Sequence, residues 1–142
     1  MVVRLVDIAR AAGVSKASAS RALSNPGRVS SKTRQLVEKA AQDLNYVSDG
    51  VARALSERRT RTVGAVVPTL ENAIYAISMQ GLERELARYG YTLLIASHQF
   101  SLQQETTAVT SLISRGVDAI ALVGLLHKPR TFALIRNAGI PY

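Results

Sequence analysis

From Val63 onward the chain alternates continuous apolar runs with segments of helical period, and few folds accommodate that order. VGAVVP (63–68), YTLLIAS (91–97) and DAIALVGL (118–125) are apolar without polar alternation, as strands buried on both faces are. Residues 73–89 place Ile74, Ile77, Leu82 and Leu86 on one predicted helix side and Glu83, Glu85 and Arg88 on the other. Further helical segments are predicted at about 103–115 and 129–138. Strand–helix alternation of this regularity predicts βαβ units around a parallel sheet. At IPY (140–142) a fourth strand has barely begun, so the sequence is expected to be part of a longer one.

Before Val63 the period is different. LVDIARAA (5–12) sets Leu5, Ile8, Ala9 and Ala12 at helical spacing, with Asp7 in the first turn, where the helix dipole favours an anion. Gly13 supplies the left-handed residue that a tight turn needs. Ser15 is a suitable N-cap for a second helix over 15–23, and Asn25-Pro26-Gly27 stops it. Ser30 caps a third helix, along which Leu36, Val37, Ala40, Ala41 and Leu44 form an apolar stripe; Tyr46 closes the three-helix core. VSDGVARALSERRTRT (47–62) is polar and basic, with Val51, Ala52 and Leu55 as a short helix face: a linker with one or two helical turns.

Charge separates the same two parts. Residues 1–61 carry 12 Lys and Arg against 5 Asp and Glu, and residues 62–142 carry 6 against 5. The N-terminal part is therefore the one fitted to a polyanion. The absence of Cys excludes disulfides and thiolate metal sites. MVVRLVDIAR has charges within its first ten residues and no long apolar run, unlike a signal peptide. DAIALVGLL is too short to cross a bilayer, so a cytoplasmic protein with no membrane partner is expected.

Within the basic part, Ile8, Ala9, Gly13, Val14 and Leu23 have the spacing of a helix-turn-helix. The second helix then turns Lys16, Ala17, Ser20 and Arg21 outward: cations for phosphates or guanine edges, and small side chains that let the backbone enter a major groove. VDIARAAGVSKASASRALSNPGRVSSKTRQLVEKAAQDLNY resembles the headpiece of the LacI-type (lactose/purine repressor) family of bacterial transcription regulators. The similarity continues through VARAL and RTRTVGAVVP to IPY, over the whole chain. It implies a helix-turn-helix headpiece at 1–46, a linker with a hinge helix at 47–61, and at 62–142 the first half of the N-terminal lobe of a Rossmann-like, periplasmic-binding-protein-type effector and dimerisation domain.

The resemblance also implies residue roles. Lys16 and Ala17 match positions that read operator bases, and Arg21 a third contact. Ser24 and Arg28 fall near the groove edge. Ser15, Ser18, Ser30 and Thr33 match phosphate-binding positions. Leu55, with Ala52 beside it, matches the hinge residue that wedges into the minor groove at the operator centre. The chain departs from the family pattern at Arg4, where Thr is usual; the first helix loses a hydroxyl cap, and Arg4 is left to bind phosphate directly. Ser48-Asp49-Gly50 replaces the usual Pro-Asn at the hinge helix, which predicts a hinge that is less ordered without DNA. Ala19, where Val or Ile is common, thins the headpiece core.

In parallel α/β sheets ligands gather beyond the carboxyl ends of the strands. The first end offers Thr69, Asn72, Ile74 and Tyr75, the second Ser97, His98 and Gln99, and the third Gly124 and His127. The expected ligand is a small-molecule effector, a sugar or related metabolite, and the helices after the first two strands are where the family forms its dimer. Rival classes remain. An enzyme has little support: two His, no clustered carboxylates and no GxGxxG or GKS loop, and both His fit loop or surface positions. A two-lobed sugar carrier would share the sheet without the basic headpiece. An antitoxin-like module would bind DNA without responding to a small molecule. The expectation is a DNA-binding repressor that reads a pseudo-palindromic operator as a homodimer, with no cofactor, no metal site and no catalytic residue.

Overall fold

Ser15 and Ser30 each sit one residue before a helix, with extended backbone and a side-chain oxygen that accepts the N–H three residues on, from Ser18 at 3.1 Å and Thr33 at 3.2 Å. These caps set the starts of α2 (Lys16–Ser24) and α3 (Ser31–Asp43). Before them, α1 (Leu5–Ala11) has no hydroxyl cap. Instead the Asp7 carboxylate accepts the Arg4 N–H at 2.9 Å, so the acid in the first turn takes over part of the work of the missing Thr. α1 closes as a Schellman turn: Gly13 is left-handed at φ +65°, and the Val14 N–H reaches the Ala9 carbonyl at 3.0 Å. α3 closes the same way through Asn45 at φ +50°, with Tyr46 bonded to the Ala41 carbonyl at 2.8 Å.

The computed structural model describes residues 3–48 and 50–142; at Ala52 and Ser56 it describes the backbone alone. It divides into two units, Met1–Arg53 and Ala54–Tyr142, and the boundary falls inside α4 (Gly50–Glu57). In the first unit, Ile8, Ala9, Ala12, Ala19, Ala22, Val37 and Ala40 are buried together, with Val14, Leu23 and Tyr46 packed around them. Ala19 is wholly buried. Leu36 and Leu44, predicted to share the α3 stripe, are instead exposed, because the core contacts only the narrower sector of α3 that holds Val37 and Ala40.

The second unit runs β1 (Thr62–Val67), α5 (Ala73–Arg88), β2 (Thr92–Ser97), α6 (Leu102–Ser114), β3 (Ala119–Leu122) and α7 (Pro129–Asn137). The strands are parallel in the order β2-β1-β3, with Thr62 opposite Thr92 and Val63 opposite Ala119. Met79 and Leu82 of α5 cover one face, over Ala65 and Val67. Val109 and Leu112 of α6 and Ile135 of α7 cover the other, over Val66 and Ile120. Gly64 leaves the room α6 needs: a Cβ there would meet the Leu112 Cδ1 at 2.7 Å.

Three expectations are corrected here. Only β1 is buried through most of its length; β2 is an edge strand whose residues are exposed or half-buried. β3 ends at Leu122 instead of 125. On α5, Ile74 and Ile77 are 65% and 67% exposed, since at about 100° per residue they lie in a different sector from Met79, Leu82 and Leu86.

Candidate nucleic-acid interface and strand-end cleft

In the first unit α2 buries Ala19 and Ala22 and leaves Lys16, Ala17, Ser20 and Arg21 exposed. Positions 16, 17, 20, 21 and 24 share one helix side, so the outward face carries two cations on a ground of small side chains. Arg10 and Arg34 have acidic partners, Asp7 at 3.8 Å and Glu38 at 2.6 Å. Among the described residues Arg4, Lys16, Arg21 and Arg28 have none, and all four are exposed. Arg21 Nε donates to the carbonyl of Ala17 at 3.2 Å and Ser24 Oγ to that of Ser20 at 2.9 Å, so both side chains lie along their own helix. The four hydroxyls matched to phosphate positions come together in pairs, Ser15 with Ser18 and Ser30 with Thr33, each at 2.9 Å. Each pair marks a helix N-terminus, where uncommitted N–H groups favour an anion. On α4, Val51 is 76% and Leu55 83% exposed; the side chain of Ala52 lies outside the described residues.

In the second unit the chain leaves β1 toward α5 on one face and β3 toward α7 on the other, which makes their ends the switch point of the sheet. Thr69 is buried and its Oγ1 accepts the Glu71 N–H at 3.1 Å; Asn72 Oδ1 accepts the Ile74 N–H at 3.0 Å. Both polar groups predicted for a ligand therefore serve the loop and the α5 cap. Ile74 is exposed and Tyr75 half-buried. Ser97 and Gln99 are exposed, joined by a 3.3 Å bond from Gln99 Nε2 to Ser97 Oγ.

The two histidines lie in loops, His98 buried and His127 half-buried. His98 is 4% exposed, and among the described residues both ring nitrogens lack a partner. His127 Nδ1 is 2.6 Å from Glu105 Oε2 and its Nε2 is 3.3 Å from the Gly124 carbonyl. Glu105 is wholly buried, and its other oxygen accepts from Thr131 Oγ1 at 2.9 Å. This network ties α6, the β3–α7 loop and α7 together. Sequence reasoning passed over Glu105, although its spacing with Leu102, Val109 and Leu112 already places an acid on an apolar stripe. Among the described residues no group of three or more His, Cys, Asp or Glu is placed to hold a metal ion, and no helix is long and apolar enough to cross a membrane.

Comparison with known proteins agrees with this architecture. Residues 4–49 match the family model described as bacterial regulatory proteins, lacI family. The chain is 32% identical over 137 residues to the HTH-type transcriptional regulator GntR of Escherichia coli strain K12, covering 96% of this chain and 41% of that one. Among solved structures, it superposes on a LacI-family transcriptional regulator from Silicibacter pomeroyi with a TM-score of 0.83 at 29% identity, over 98% of this chain and 42% of that one. It also superposes on the Lac repressor bound to ONPG in the repressed state, with a TM-score of 0.79 at 25% identity, over 96% and 42%. The chain thus spans about two fifths of the length of these relatives. With a helix-turn-helix unit at its start and a doubly wound sheet after it, the chain carries the lacI-family domain of bacterial regulatory proteins at residues 4–49 and is similar over nearly its whole length to the N-terminal part of LacI-family regulators.

Proposed function

We propose that the protein is a sequence-specific transcriptional repressor that binds a pseudo-palindromic operator as a homodimer in the cytoplasm, under the control of a small-molecule effector. The observation that carries this is the outward face of α2, where Lys16 and Arg21 have no acidic partner among the described residues and stand beside Ala17 and Ser20. Such a face can approach base edges closely and is charged for phosphate. Ser24, Arg28 and Arg4 extend it, and the Ser15–Ser18 and Ser30–Thr33 pairs offer two helix N-termini to the sugar–phosphate backbone. Leu55, with Ala52, is the proposed minor-groove wedge; an apolar side chain 83% exposed gains most by insertion between bases. A helix of eight residues is marginal in water by itself, so α4 is expected to gain order when DNA covers it.

The effector is assigned to the β1–β3 switch point, walled by Thr69, Asn72, Ile74 and Tyr75, with Ser97, His98 and Gln99 at the neighbouring strand end. The Lac repressor with its bound ONPG supports a ligand in a protein of this fold, and a sugar or related metabolite is the class proposed. Whether the effector strengthens or weakens operator binding depends only on which of two states it binds better.

Footprinting of the intact protein on its own upstream DNA, over a salt series, tests the proposal. A protected palindrome with enhanced cleavage at its centre is the expected result. Uniform and strongly salt-dependent binding without a footprint would mean that the basic unit holds DNA without reading it. Within a footprint, Arg21→Ala is expected to weaken specific binding by about 1–3 kcal/mol, roughly 5- to 150-fold, and to relax preference at one base position. An equal loss on random DNA would reduce Arg21 to a phosphate contact.

A further inference from the structure

We infer that Arg58 and Arg59 form a phosphate anchor immediately beyond the α4 wedge, a DNA contact separate from the α2 face. The inference rests on the DNA-binding function proposed above.

Both arginines are exposed, and among the described residues neither has an acidic partner. Their neighbour Arg61 differs, its Nε lying 3.1 Å from Glu57 Oε2. Arg58 holds φ +53°, a left-handed conformation that glycine adopts without steric cost and that a long side chain rarely occupies. The backbone just beyond is fixed. Asp118 accepts the N–H of Thr60 and that of Arg61, each at 2.9 Å, and Thr60 Oγ1 donates to the Gly116 carbonyl at 2.8 Å. Arg58 and Arg59 are therefore mounted between the end of α4 and a strand entry pinned to the sheet. They follow the exposed Leu55 by three and four residues, which brings them to the phosphates bordering the groove that Leu55 enters.

Cations at a helix C-terminus also stabilise the helix dipole. That role would change the helix content of α4 without changing how many counterions DNA releases. The salt dependence of binding separates the two. On both the footprinted operator and a random duplex of equal length, Arg58→Gln with Arg59→Gln should lower the slope of log K against log salt by about 1.8, or about 0.9 for each phosphate no longer neutralised. Between 50 and 200 mM salt the unsubstituted protein would then lose about 12-fold more affinity than the double variant. Arg58→Lys with Arg59→Lys should keep the slope. Leu55→Ala should weaken operator binding and also keep it. A slope unchanged in the Gln pair overturns the anchor, as does one that falls equally in Leu55→Ala. Failure of the regulator function itself has a different signature: the unsubstituted protein would bind operator and random duplexes equally, while the slope test on random DNA still decides the anchor.

Discussion

Ile8→Ala is expected to unfold the three-helix unit and abolish DNA binding while leaving the sheet intact. Ile8 is wholly buried and packs among residues from all three helices: Ala9 and Ala12 of the same turn, Ala19 and Ala22 of α2, Val37 and Ala40 of α3. Five of the seven buried positions in this core are alanines, so Ile8 and Val37 are the only larger side chains among those seven. Truncation removes three carbons and leaves a space that small neighbours cannot refill, at a cost of about 2–5 kcal/mol. A core in a unit of this size rarely supplies more than about 3–5 kcal/mol in total. The loss is therefore comparable to everything that holds the helices together. Hydrogen exchange resolves it by position: amide protection at Val37 and Ala40 should collapse, while that at Ala65 and Val66 of β1 should persist. Ile8→Val, at about 0.5–1.5 kcal/mol, should retain most of the protection and the footprint. Full protection at Val37 in the alanine variant would show that the α1 packing contributes little.

The first unit was legible in the sequence from its helix ends. Caps and breakers announced its helices: Ser15, Gly13, Asn25-Pro26 and Ser30 all act where the chain places them. The parallel sheet was legible from the alternation of apolar runs with helical segments, and VGAVVP does lie in the central strand. Coverage was not legible. Periodicity does not state how wide a sector of a helix is covered: Leu36 and Leu44 share the α3 stripe and are exposed, while Ile74 and Ile77 of α5 lie outside the sector that Met79, Leu82 and Leu86 occupy. The strand-end residues have a local role that the sequence does not announce. Thr69 and Asn72 are polar groups at a strand end, as a ligand site requires, yet the loop itself uses their side-chain oxygens. The wholly buried acid of the second unit, Glu105, was missed because its partners His127 and Thr131 lie 22 and 26 residues away in sequence.

Glu105 is where the second large effect is expected. Its carboxylate is wholly buried, with His127 Nδ1 at 2.6 Å and Thr131 Oγ1 at 2.9 Å. Glu105→Ala removes both bonds at once and strands the buried Thr131 hydroxyl and the half-buried His127 ring. Breaking a buried pair by deleting one member costs about 3–5 kcal/mol, most of it the penalty of the group left behind. Glu105→Gln keeps the volume and an oxygen for Thr131, and its amide can donate to a neutral His127 ring; the expected loss is smaller, about 1–3 kcal/mol. The local consequence follows from what the network holds. His127 also reaches the Gly124 carbonyl, so the network tethers a loop whose Leu125 and Leu126 are 100% and 76% exposed. Without the tether, proteolysis at Leu125–Leu126 and exchange over 123–128 should rise more than at any other point of the sheet unit. The loop borders the proposed effector cleft, whereas the α2 face belongs to the other unit. A Glu105→Gln protein should therefore keep its operator footprint and lose part of its response to effector. A Gln variant as stable as the unsubstituted protein, with the Ala variant alone weakened, would mean that the carboxylate only fills space, and the tether through His127 would fall with it.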